Sequence, residues 1–489
     1  MSNYSADFLA KKLRSGASFA ALSLSLVFAG GMTAASAETL QDALVATYGS
    51  NPTLQAARAE LRATDENVNQ ALANWRPSIS ATGTSQFTQS DSDLRSGAGL
   101  TSLTAKDDRT TNTGTVTVQQ NIFRGGRTVS QTRQAKAQVA AGRAQLTSTE
   151  QDVLLSAVTA YMDVLRDTAT VELNQNNVSV LQRQLEASQD RFDVGEITRT
   201  DVAQSEARLS RSESSLIQAQ ANLINSRATY ERVVGSAPGT LQAAPVLPPL
   251  PESEDAALAT ATVNNPTLVA ARFAEEASRH AIRTAQGGLL PTLTVQGDYS
   301  QSDNPSSTVK SSETASVTGR LTIPLYQSGA EYSQIRQAKQ LNSQSRLQIR
   351  EATRSVEEGV ASAWENYRAA NARIVSDREQ VRANEIALDG VQQEAQVGSR
   401  TTLDVLDAEQ ELLDSRVALV TSERNAYVAA YQVLSAIGRL NAGYLALPVD
   451  QYDPGQNYDD VSGQWIGWGI DDEPDDVAPE SGTDAASQL

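Results

Sequence analysis

The stretch VGSRTTLDVLDAEQELLD, residues 397–414, repeats a phrase already present at residues 194–211, VGEITRTDVAQSEARLSR. In each, a glycine follows a valine and an aspartate stands six positions further on: Gly195 with Asp201, and Gly398 with Asp404. A glycine at the end of a helix supplies the positive φ that closes it. Thr198 with Asp201, and Thr401 with Asp404, have the spacing of a capping box that opens the next helix. The phrase therefore reads as the tip of a helical hairpin, written twice.

Working outward, apolar residues recur every seven positions on both sides of each tip. Upstream they are Val164, Val171, Val178, Leu185 and Phe192 in the first copy, and Tyr367, Ile374, Val381, Leu388 and Ala395 in the second. Downstream they are Val202, Leu209, Leu216 and Leu223, then Val405, Leu412 and Leu419. Sevens on either side of a tight turn predict antiparallel helices packed knobs-into-holes. The ascending stretches, about 127–194 and 330–397, contain no proline. At ~1.5 Å per residue each reaches ~100 Å.

The duplication is wider than the tips. Asn51-Pro52-Thr53-Leu54 recurs as Asn265-Pro266-Thr267-Leu268, and Pro77 matches Pro291 at the same offset. From FRGGRTVSQTRQAK (123–136) against YQSGAEYSQIRQAK (326–339) onward the offset is smaller, so the second copy is the shorter one, its deletion lying between Pro291 and Tyr326. Copies this long are a duplicated half-molecule rather than solenoid repeats. The sequence predicts a leader over 1–37, a first repeat over 38–235, a linker over 236–262, a second repeat over 263–447 and an acidic, disordered tail over 448–489.

Each copy opens with Ala-rich helical sequence that stops at its proline. A period of two follows. Leu293, Val295, Gly297 and Tyr299 alternate with polar residues, as do Ala315, Val317, Gly319, Leu321, Ile323 and Leu325. Copy one has Val116, Val118 and Ile122, with a weaker partner in PSISATGTSQF. These predict β-hairpins at about 77–123 and 291–325, with strands of roughly ten residues joined by polar loops at about 90–112 and 302–314. A small soluble sandwich alternates in this way. So does a membrane barrel with lipid outside and water inside. Four strands cannot close a barrel, and open edges are not viable in lipid. A membrane reading thus demands several subunits.

Lys11, Lys12 and Arg14 precede the apolar run SFAALSLSLVFAGG and then Ala35-Ser36-Ala37, a secretory leader expected to be cut before Glu38. Cleavage removes three bases and Asp7, taking the net charge from −18 to −20. Eleven acids and no base lie between Asp450 and Leu489, a balance that excludes nucleic acid as a partner. There is no cysteine and one histidine, His280, in helix-like sequence that predicts an exposed structural role. No phosphate loop, metal-ligand spacing or nucleophile motif is present, so neither an enzyme nor a cofactor or metal site is expected.

The two tips differ in one respect. Asp407 has no acidic counterpart, since Gln204 occupies the equivalent position. Asp404, Asp407, Glu411 and Asp414 fall at i, i+3, i+7 and i+10, one face of a helix whose apolar residues lie elsewhere. Such a face is either solvated surface or, repeated around an oligomer, a carboxylate ring that favours cations at a pore mouth.

Leader, duplicated halves, paired strands, long helices and the tips VGEITRTDV and VGSRTTLDVLDAE together resemble the TolC family of outer-membrane export channels, over about residues 39–445. The resemblance implies an α+β homotrimer. A twelve-stranded outer-membrane β-barrel, four strands per subunit, is continued by a long α-helical coiled-coil barrel into the periplasm of a Gram-negative bacterium. It implies a passive exit duct of an efflux or type I secretion system, with a periplasmic adaptor protein and an inner-membrane ABC or RND-type pump as partners. Carried over, Asp404 and Asp407 match the periplasmic constriction, with Glu411 and Asp414 continuing the lumen stripe. Asp201 and Arg400 match a gate latch, and Gly195, Thr198, Gly398 and Thr401 lie at tips where the adaptor seats. The family's tip tyrosine is replaced by Ala395. The alternative is a soluble periplasmic coiled-coil scaffold or adaptor.

Overall fold

The computed structural model describes residues 37–95 and 102–467, so the leader and the end of the tail lie outside the described residues. The first repeat runs α1 (Leu40–Ser50), α2 (Pro52–Leu72), β1 (Ser78–Arg95), β2 (Ser102–Arg124), α3 (Arg127–Asp193) and α4 (Arg199–Val234). The second runs α5 (Glu254–Asn264), α6 (Pro266–Gln286), β3 (Thr292–Ser306), β4 (Val309–Thr322), α7 (Ala330–Gln396) and α8 (Thr402–Ala436). A short α9 (Gln456–Val461) is the last helix among the described residues. Helix α5 follows α1 at the offset that separates Asn265 from Asn51, so the second repeat begins at Glu254, inside the expected linker.

The repeated Asn-Pro-Thr-Leu is a joint. Asn51 caps α2 by accepting from the Thr53 and Leu54 N–H groups at 3.0 and 3.3 Å. Its amide donates to the Val233 carbonyl at 2.9 Å, at the end of α4. Asn265 repeats both roles, donating to the Ala436 carbonyl at 2.9 Å. Proline at the first helical position costs nothing, because that N–H has no intrahelical partner. Around these joints lies the main core, where Tyr161, Tyr230, Leu154, Leu434 and Leu440 are fully buried. Glu38, the first residue after the expected cleavage, pairs with Leu241 and accepts from the Tyr230 hydroxyl at 2.5 Å.

The four strands make one antiparallel sheet in the order β1-β2-β3-β4. Their register aligns the alternation. Ala81, Val116, Tyr299 and Ala315 form one apolar row, and Ile79, Val118, Gly297 and Val317 the next. On the other face Thr117 donates to Asp298 at 2.8 Å, and Thr113 meets Ser302 at 3.0 Å. Apolar side chains on the first face stay in the open, Val317 at 82% exposure. The strands are 18, 23, 15 and 14 residues long, not about ten. Most of the expected polar loops are strand, with Arg95 paired to Ser102 and Ser306 to Val309. Where both faces of a hairpin meet water the period of two disappears from the sequence, while the backbone ladder continues. The deletion in copy two shortens this outer end.

Helices α3 and α7 have 67 residues each and fold back on α4 and α8. Their seam keeps the expected Leu388, Val405 and Leu412 buried in the second hairpin and departs from the expected residues in the first. The buried positions of the first hairpin are Asn174, Leu181 and Ser188 against Ser205, Ser212 and Ala219. Ser188 and Ser205 hydroxyls lie 3.2 Å apart, and Asn177 donates to Ser212 at 3.0 Å. The period of seven is kept, but small polar residues occupy its centre, because they let the two backbones approach closely. Val171, Val178, Leu185 and Leu209 flank that line half-buried. His280 is buried on α6 rather than exposed.

Of the tail expected to be disordered from residue 448, residues 448–467 pack on the first repeat, and the rest lies outside the described residues. Tyr452 N–H donates to the Tyr48 hydroxyl at 3.0 Å, and α9 packs on α2 with Tyr458 beside Val68, Ala135 and Val139. Aromatic side chains on arginine stems hold it, a contact that charge counting along the sequence does not register. No helix among the described residues is long and apolar enough to cross a membrane.

Candidate functional site

At the first tip, Gly195 turns the chain at φ +81°, and Glu196 N–H reaches back to the Arg191 carbonyl at 2.9 Å. Gly398 has the same φ, and Ser399 N–H donates to the Glu394 carbonyl at 3.0 Å. Nothing stands within 4 Å of where a Cβ would sit on either glycine, so their backbone conformation, not space, selects the residue. Thr198 then donates to Asp201 from its N–H at 2.9 Å and its hydroxyl at 2.8 Å. Thr401 does the same to Asp404, both at 2.9 Å. Both predicted capping boxes are formed.

These bonds hold the Asp201 and Asp404 carboxyls below the usual carboxylate range, chiefly through the backbone N–H of Thr198 and Thr401. A depressed carboxylate contributes stability above its unfolded pKa and loses it as pH falls through the folded value. Amide protection in the first turns of α4 and α8 is therefore expected to hold above the ordinary aspartate range and to be lost as the pH falls below it. Hydrogen exchange measures this, and protection unchanged down to pH 2 refutes it.

The expected latch is not formed within the protomer. Arg400 donates to Glu394 of its own tip at 2.8 Å, and Asp201 is spent on Thr198. The contact that joins the two hairpins here is a different one. Arg208 on α4 donates to Asp407 on α8, with the two side chains 26% and 55% exposed. A signal for it lay in the duplication: the second-copy equivalent of Arg208 is Glu411, so the two copies carry opposite charges there.

The acidic stripe lies on the surface of the protomer. Asp407, Glu411 and Asp414 are exposed while Val405, Leu406 and Leu412 face inward. Asp414 accepts from Gln410 at 2.8 Å. Sequence reasoning did not separate Glu409 from these. It points into the hairpin, accepts from Gln392 on α7 at 3.0 Å, and burial pushes its carboxyl up.

An open sheet greased on one face and wetted on the other, joined to polar-tipped hairpins ~100 Å long, defines the protomer of an outer-membrane export duct. The chain belongs to the outer membrane efflux protein family, whose model matches residues 43–236 and 257–439. It is 38% identical to the outer membrane efflux protein BepC of Brucella suis over 435 residues, covering 89% of this chain and 92% of that protein. It is 27% identical to the outer membrane protein TolC of Escherichia coli, covering 86% of each. The solved structure of the outer membrane protein VceC from Vibrio cholerae superposes with a TM-score of 0.70 at 20% identity, covering 82% of this chain and 96% of that one. The chain is thus an outer-membrane efflux protein of a family of ducts, and its helices extend into the periplasm. The soluble scaffold is not supported.

Proposed function

We propose that three copies of the chain join the free edges of β1 and β4 into a twelve-stranded barrel, and that their hairpins continue it as a tunnel. The observation that carries this is the apolar row crossing all four strands, exposed on one face, in a sheet whose outer strands have no partner among the described residues of the protomer. In lipid every strand edge must be paired, and twelve strands enclose a lumen. The half-buried apolar flanks of the hairpins support the same assembly, since they need neighbouring hairpins to cover them.

The duct is passive. Energy comes from an inner-membrane ABC or RND-type pump, and a periplasmic adaptor seats at the tips around Gly195, Thr198, Gly398 and Thr401. Asp404 and Asp407, repeated around the threefold axis, form the constriction, with Glu411 and Asp414 lining the approach. Asp201 and Arg400 latch neighbouring hairpins of the trimer, and the Arg208–Asp407 pair joins the two hairpins inside each protomer; both favour the closed set. Opening is a splaying of the tips that adaptor binding selects.

Cell fractionation tests the assembly. The mature chain is expected in outer-membrane fractions as a trimer that survives detergent until heated. A soluble monomer in the periplasmic extract overturns it.

A further inference from the structure

The tail up to residue 467 is fastened by contacts that only the first repeat provides. Asn457 donates to Asp65 at 2.9 Å, Asn69 donates to the Val461 carbonyl at 2.7 Å, and Arg76 donates to the Gln464 carbonyl at 2.5 Å. Asp65 is 1% exposed. In the second repeat the positions equivalent to Asp65, Asn69 and Arg76 are Arg279, Arg283 and Leu290. An acid, an amide and a cation have thus been kept or acquired where the strap runs, and the other copy of the same helix cannot hold it.

The strap ends at a particular height. Arg76 stands two positions before β1, at the foot of the sheet, and its guanidinium lies 5.1 Å from the centre of the Trp465 ring. Beyond that contact the strap turns apolar groups outward: Trp465 is 67% exposed and Ile466 is 97% exposed. Trp75, half exposed, is at the same level. A tryptophan held by an arginine where membrane strands begin is the arrangement of an interfacial anchor, ring at headgroup depth and charge toward water.

We propose that residues 450–467 dock along α2 of the first repeat and present Trp465 and Ile466 to the phospholipid headgroup and acyl boundary of the periplasmic leaflet. This anchor rests on the outer-membrane reading above. It adds a membrane contact outside the barrel, one per protomer, that fixes the barrel's depth from the periplasmic side.

The chain has no cysteine, so single spin labels can be placed on the full-length trimer in phosphatidylethanolamine/phosphatidylglycerol vesicles. A label at Ile466→Cys is expected to collide several-fold more often with oxygen than with a water-soluble nickel chelate, as does a control label at Val317→Cys on the apolar face of β4. The double variant Asp65→Arg/Asn69→Arg, which installs the second repeat's residues, is expected to reverse that preference at 466 while leaving the trimer and its conductance intact. Free access of nickel at 466 with lipid contact at 317 overturns the anchor alone. Shielding of 466 from both reagents means that a neighbouring protomer covers it, and also overturns the anchor. Lipid contact at 466 that survives the double variant overturns the docking. Water at both 466 and 317 removes the membrane reading itself.

Discussion

Trimers carrying Arg208→Gln are expected to conduct more in planar bilayers than wild type, and to open more often without any adaptor. The geometry of one pair dictates this. Arg208 and Asp407 join α4 to α8 near the tips, both partly exposed to solvent. A pair in that setting contributes ~0–1 kcal/mol. Three of them around the axis act on one closed-to-open equilibrium, so their loss shifts it by up to ~3 kcal/mol, or ~100-fold. Salt separates this clasp from packing. Ions screen exposed charges within ~10 Å at 0.1 M, so wild-type conductance is expected to rise with ionic strength beyond the bulk electrolyte, and that of Arg208→Gln is not. The charge swap Arg208→Asp with Asp407→Arg restores closure. Wild-type conductance and wild-type salt dependence in Arg208→Gln would falsify the clasp.

Why was this pair hidden when the tips themselves were plain? Helix ends are local: Gly398, Thr401 and Asp404 interact within two turns of chain, so their spacing encodes their bonds. Arg208 and Asp407 are 199 residues apart, and their trace in the sequence is indirect, the reversal of charge between Arg208 and its second-copy equivalent Glu411. The strands were legible only where one face is apolar, which is why Ile79 and Val317 were informative and the outer, doubly wetted ends read as loop. The hairpin seam was legible in period throughout, and in residue in the second hairpin, where Leu388, Val405 and Leu412 are buried, but not along the middle of the first. Leucines at every seventh place drew the reading, whereas Ser188, Ser205 and Ser212 occupy the line of closest approach. The strap failed for a compositional reason. A run of acids suggests solvated chain, yet Tyr452, Tyr458 and Trp465 between those acids find Arg58, Arg143 and Arg76 on the first repeat.

Asp404→Asn is expected to weaken block by a trivalent cation applied from the periplasmic side by on the order of tenfold or more, because three charges leave one constriction at once. Asp407 makes a sharper test, since its charge is partly offset by Arg208. Removing the arginine exposes that charge, so Arg208→Gln tightens the block while Asp404→Asn loosens it, and both can be read in the same recording. A helix-surface stripe with no role in the lumen predicts no change in either. Acid provides a further discriminant. The Thr401 N–H and hydroxyl keep Asp404 ionised below the ordinary carboxylate value, so wild-type block persists to a lower pH than an aspartate without those donors allows. Asp404→Glu retains the charge and, with Glu at the N3 position, retains a capping-box residue. Such a channel keeps its cation block at neutral pH and loses it at a higher pH than wild type, because a glutamate carboxyl holds its proton more tightly than an aspartate in the same capping box.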